Sequence, residues 1–118
     1  MIEVSDLTKN FGDFPAISSL TFSVEQGEIL GFLGPNGAGK TTAMKIITGF
    51  MPPTSGTVEV AGFDIVEHSL DARKHIGYLP ETVPLYTDMT VSDYLSFMGT
   101  IRGMSSTEIK NRRSEVID

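Results

Sequence analysis

The stretch that most constrains this chain is Gly34-Pro35-Asn36-Gly37-Ala38-Gly39-Lys40-Thr41, a full match to the pattern G-x-x-x-x-G-K-[ST]. Glycine at three of its positions permits backbone dihedrals that a Cβ would forbid. Consecutive N–H groups then turn inward and form a nest for anionic oxygen. If Gly39 opens a helix, the unpaired N–H groups of its first turn and the positive end of its dipole reinforce the same anion site. Lys40 reaches the β- and γ-phosphates as a point charge, and the Thr41 hydroxyl is a hard oxygen ligand suited to magnesium. The motif predicts a site for a nucleoside triphosphate. It also requires a strand before it and a helix after it.

Both flanks read that way. Residues 28–33 (Glu28-Ile29-Leu30-Gly31-Phe32-Leu33) are short and almost wholly apolar, as expected of a strand buried on both faces of a parallel sheet. After the loop, Ala43, Ile46, Ile47 and Phe50 recur at i, i+3, i+4 and i+7, the stripe of an amphipathic helix, which Gly49 and then Pro52 and Pro53 bring to a stop.

Around this centre the chain alternates. Ile2, Val4 and Leu7 predict a half-buried first strand ending near Thr8-Lys9-Asn10, with a turn at Phe11-Gly12-Asp13. Ala16, Ile17 and Leu20 lead into a second strand at Thr21-Phe22-Ser23-Val24, and Thr57-Val58-Glu59-Val60 predicts a third before a turn at Ala61-Gly62. A short helix is expected over residues 69–75, capped by Ser69. A second buried strand follows at Ile76-Gly77-Tyr78-Leu79, ended by Pro80. Thr90 with Asp93 opens a helix whose face is Val91, Tyr94, Leu95, Met98 and Ile101, stopped by Gly103. Ser105 and Glu108 form a capping box for a last helix, whose pattern reaches Asp118 without a stop signal, so the chain reads as incomplete.

Composition narrows the function. Nine Lys and Arg against fifteen Asp and Glu give a net charge of −6. Residues 1–90 carry five basic and eleven acidic side chains, whereas residues 91–118 carry four of each. The triphosphate is therefore to be held by local geometry rather than by a basic field, and a broad nucleic-acid surface is disfavoured. With no cysteine, disulfides and thiolate metal sites are excluded. His68 and His75 lack partners at metal-like spacing, and Arg112 and Arg113 read as a solvated helix face. No apolar run approaches the roughly 20 residues of a membrane span.

Taken together, Phe11-Gly12, Glu28-Ile29-Leu30-Gly31, Gly34 through Thr42, Ser55-Gly56 and Ile76-Gly77-Tyr78-Leu79-Pro80-Glu81 resemble the nucleotide-binding domain of ATP-binding cassette (ABC) proteins. The loop Gly77-Tyr78-Leu79-Pro80-Glu81, followed by Pro84-Leu85-Tyr86 and Met89-Thr90-Val91, is most similar to the bacterial ABC-2 type exporter subgroup, which includes multidrug and gliding-motility ATPases. The resemblance implies an α/β fold: a partial P-loop NTPase core with an antiparallel β subdomain and the start of a helical subdomain. All of residues 1–118 would be the N-terminal part of one ABC ATPase domain, with the nucleotide-binding core and antiparallel strands in 1–87 and the helical subdomain beginning in 88–118.

The site residues that the resemblance implies are Gly34, Pro35, Asn36, Gly37, Ala38, Gly39, Lys40, Thr41 and Thr42 on the phosphates, and Phe11 stacked on adenine. The alternative for Phe11 is packing in the small sheet, and for Thr42 an ordinary place in the first helical turn. Glu81 stands where the family usually has a glutamine. There it would join Thr41 on Mg2+ and relay nucleotide state, or else be a solvated loop acid. Lys40 and Glu81 are the residues with catalytic roles, ATP and Mg2+ the cofactors.

The family's remaining parts, an acidic strand end (Walker B), the glutamate after it, a Leu-Ser-Gly-Gly-Gln-like signature and a γ-phosphate histidine, do not occur between Leu95 and Asp118. The intact domain would be an ATPase that pairs with a second nucleotide-binding domain and a transmembrane permease subunit. It would be cytoplasmic and peripheral on the inner face of the membrane. These residues alone would bind ATP with poor turnover. A non-transport ABC ATPase serving translation or DNA maintenance is the alternative, and a binding module without catalysis is a third reading.

Overall fold

In a regular strand Val4 and Leu7 fall on opposite faces, yet both are buried, at 1% and 0% exposure. The first strand, β1 (Ile2–Phe11), reconciles this with a bulge. Its register shifts between Val4 and Leu7, and Asp6 takes a positive φ of 48° while its N–H donates to Thr21 Oγ1 at 2.9 Å. One extra residue there returns the apolar set to a single face.

The structure is a computed structural model that describes residues 1–33, 39–82 and 85–118. The chain forms two units, Met1–Tyr78 and Leu79–Asp118. In the first, β1 pairs antiparallel with β2 (Phe14–Val24) through a hairpin that closes at Phe11 opposite Phe14. Its other edge pairs antiparallel with β3 (Ser55–Val60), Val4 standing opposite Val58. A two-residue β4 (Phe63–Asp64) completes the order β2-β1-β3-β4. The helix after the phosphate loop, α1 (Lys40–Ile47), lays Ala43, Ile46 and Ile47 into one core with Val4, Leu7, Ile17, Val58 and Val60.

Helix α1 ends where the sequence places its stop. Gly49 N–H donates to the Ile46 carbonyl at 3.1 Å and Phe50 N–H to that of Lys45 at 2.8 Å, the paired bonds of a left-handed C-cap. Phe50 lies past this cap and outside the core, its ring 5.7 Å from that of Tyr78. The next helix, α2 (Ser69–Arg73), is capped at His68 and not by the side chain of Ser69. Asp64 fixes the entry one residue earlier than expected. Its carboxylate accepts from Val66 and Glu67 N–H at 2.8 and 2.9 Å, and its carbonyl from His68 N–H at 2.9 Å. His75 stacks on Phe63 with ring centroids 5.7 Å apart.

Two expected strands do not form. Residues 28–33 are not in a ladder, and Ile29 and Leu33 are 98% and 95% exposed. Residues 76–79 likewise carry no strand, with Leu79 exposed. A strand of parallel type needs a neighbour delivered by a crossover, and among the described residues neither segment has one. The hairpin strands, by contrast, close their own ladder. Phe32 still packs, its ring 5.7 Å from that of Phe22 on β2.

The second unit holds α3 (Val91–Ile101) and α4 (Ser106–Ile117). Thr90 Oγ1 accepts from Asp93 N–H, and Gly103 ends α3 as expected. The anticipated face of α3 is only partly covered, with Val91 and Ile101 exposed. What the pattern missed is Gly99, the buried residue of that helix, where a Cβ would lie 2.8 Å from Ile109 Cγ1, so the two helices approach closely. Arg113 is not simply solvated, since it donates to Ser96 Oγ at 2.9 Å and ties α4 to α3, while Arg112 pairs with Glu115.

The α4 capping box is complete. Ser105 N–H donates to Glu108 Oε2 at 2.7 Å and Glu108 N–H to Ser105 Oγ at 3.2 Å. The backbone and side-chain bonds from Ser105 hold the Glu108 carboxyl below its ordinary pKa. Since the unfolded chain takes up that proton more readily, the box supports α4 above the ordinary glutamate range and fails as pH drops through the lowered value. Far-UV circular dichroism of the chain is expected to lose α4 helicity on acidification, and Glu108→Gln to flatten that part of the profile.

Candidate functional site

Gly39 is where the phosphate loop joins the scaffold. It takes φ 87° and ψ 5° at the N-cap of α1, and a Cβ there would lie 2.5 Å from the Ala16 carbonyl oxygen and 3.1 Å from Ile17 Cγ1. Both the left-handed backbone and the contact with β2 admit only glycine. The first intrahelical bond, Ala43 N–H to Gly39 carbonyl at 2.8 Å, starts the ladder, so the N–H groups before it lie at an open helix end. No side chain caps that end and no acidic residue stands in its first turn among the described residues. A helix start of this kind favours an anion through its amides and its dipole together.

Lys40 and Thr42 are half-buried and Thr41 is exposed on that turn. Gly34, Pro35, Asn36, Gly37 and Ala38 lie outside the described residues. Beside Gly39 and Lys40 opens a cleft of about 290 Å³, walled by Ala16 and Ile17 of β2 and by Phe32 and Leu33 of the segment before the loop.

Phe11 sits at the tip of the β1–β2 hairpin and is 47% exposed, so it is presented at the surface and takes no part in the core cluster. One face of its ring carries the Lys9 ammonium, 5.4 Å from the centroid. Sequence reasoning passed over Lys9, although its i, i+2 spacing from Phe11 on a strand was a usable signal, since such residues share a face. Glu81 is an exposed residue of the second unit, following Pro80. Structure thus joins Gly39, Lys40, Thr41 and Thr42 on one helix start and sets Phe11 on the hairpin of the same unit.

A helix that starts at a left-handed glycine directly after the G-x-x-x-x-G-K-[ST] pattern is the element that this pattern requires on its C-terminal side. The profile of the ABC transporter family matches residues 17–118, and the chain belongs to that family. It is 45% identical over 118 residues to the probable multidrug ABC transporter ATP-binding protein YbhF of Escherichia coli, covering 98% of this chain and 20% of that protein. It is 35% identical to the linearmycin resistance ATP-binding protein LnrL of Bacillus subtilis, covering 100% of this chain and 38% of that one. A solved ATP-binding subunit of an ABC transporter superposes with a TM-score of 0.85 at 32% identity, over 95% of this chain and 47% of the other. The chain therefore spans less than half the length of each of these proteins, and the α/β, P-loop fold class expected from the sequence is borne out.

Gly39→Ala is expected to destabilise the first unit by at least about 2 kcal/mol, from backbone strain and the clash with the Ala16 carbonyl. Urea unfolding of the variant beside the unaltered chain measures it.

Proposed function

We propose that this chain holds ATP in the ATPase subunit of an ABC exporter, with the triphosphate at residues 34–42 and the base on Phe11. The observation that carries the reading is the open, uncapped start of α1 behind a glycine that nothing larger can replace. In this reading the loop amides and first-turn N–H groups bind the phosphates, Lys40 neutralises the β- and γ-oxygens, and Thr42 supports the α-phosphate. The residues fit magnesium as well, because Thr41 offers an exposed hydroxyl on that first turn and no carboxylate competes there with the phosphates. Thr41 and Glu81 would hold Mg2+, which when bound draws charge from the β,γ-bridge.

Residues 1–87 serve as nucleotide-binding core with its antiparallel strands, and residues 88–118 begin the helical subdomain. Glu81, near the end of the first of these regions, relays nucleotide state to a transmembrane permease, with a second nucleotide-binding domain completing the active dimer. The subunit works on the cytoplasmic face of the membrane through that permease. Among the described residues no helix is long and apolar enough to cross a membrane. The relatives named for multidrug transport and linearmycin resistance favour transport over a role in translation or DNA maintenance. Hydrolysis by the 118 residues alone is expected to be slow, because the water-activating carboxylate and signature sequence do not occur in them.

Lys40→Ala is expected to weaken ATP binding at least about a hundredfold, given a charge-assisted contact to two phosphates, and to leave the circular dichroism spectrum unchanged. Calorimetric titration with magnesium-ATP reads it. Undiminished affinity in the variant counts decisively against the assignment.

A further inference from the structure

We propose that Lys9 is a positioning residue for the nucleobase: it clamps the Phe11 ring from one side and leaves the opposite face to a flat heterocycle. This rests on the reading of Phe11 as the base platform and names how that platform is set.

The geometry is specific. The Lys9 ammonium lies 5.4 Å from the Phe11 centroid, within the range of a cation–π contact, and the same nitrogen donates to the Pro52 carbonyl at 2.9 Å. Pro52 is itself a fixed point. Thr54 N–H donates to the Thr8 carbonyl and Thr54 Oγ1 accepts from Asn10 N–H, both at 2.9 Å, so the segment before β3 is laced to β1 on either side of Lys9. A long, flexible side chain is thereby held at both ends, by its strand and by a carbonyl 43 residues away.

Two consequences follow for the ring. One face is occupied, which removes a competing orientation and cuts the entropy lost when a base stacks on the other. A cation on one face also draws π-density from the far side, and this favours an offset stack with an electron-rich purine. The hairpin and the seat of Gly39 share β2. Phe14, opposite Phe11, is two residues, roughly 7 Å of strand, from Ala16, against which Gly39 packs.

The test uses the unaltered chain, Lys9→Met, which keeps the apolar stem without charge or donor, and Lys9→Arg, which keeps both. Each is titrated calorimetrically with magnesium-ATP and with magnesium tripolyphosphate, which has no base. Lys9→Met is expected to weaken ATP binding about two- to fivefold, the size of an exposed cation–π contact, with tripolyphosphate unchanged and Lys9→Arg restoring the loss. In a Phe11→Leu background Lys9→Met should add nothing. Equal loss for both ligands would make Lys9 a phosphate contact and overturn the proposal, as would unchanged ATP affinity in Lys9→Met or a full loss persisting without the ring. If neither ligand binds the unaltered chain, the reading of residues 34–42 fails first and this one falls with it.

Discussion

The approach of Gly39 to the backbone of β2 is the contact on which the remaining geometry depends. It fixes the start of α1 against the Ala16 carbonyl, and the position of that start sets which faces of the helix meet the sheet. Ala43, Ile46 and Ile47 then reach Val4, Leu7 and Val58 in a shared core, while Thr41 of the first turn stays exposed. A single glycine thus couples burial on one side of the helix to the position of its N-terminal end. Moving the helix away to admit a side chain would cost both at once.

The antiparallel sheet supplies the rigidity that this contact needs. Its β1 pairs with β2 through the hairpin and with β3 along the other edge, so the ladder lies within the first unit. The two segments of parallel character behave differently. Residues 28–33 and 76–79 have the apolar composition of buried strands but carry no ladder among the described residues, and Ile29, Leu33 and Leu79 face solvent. Hydrophobicity selects residues for a sheet interior. Only a partner backbone can turn them into a strand.

Membership of the ABC transporter family gives these features a common purpose. In the proposed function the start of α1 holds the phosphates, and Phe11, with Lys9 on one face of its ring, takes the base. The acidic balance of residues 1–90 is consistent with this economy. On that proposal charge is focused at one lysine and a set of backbone dipoles, which calls for no broad positive surface.

Local interactions were legible from the chain alone. The Gly49 and Gly103 stops, the Thr90 cap and the Ser105–Glu108 box each depend on residues no more than five positions apart, so spacing and residue type suffice to define them. Periodicity likewise placed β1, β2 and β3, though it gave β2 as a short strand at residues 21–24 where the structure has eleven residues. The bulge that buries Leu7, the seat of Gly39 on Ala16, the meeting of Gly99 with Ile109 and the Lys9 bridge to Pro52 belong to the tertiary structure. Each joins residues whose separation in sequence carries no pattern of its own, and only the packed fold brings them within contact distance.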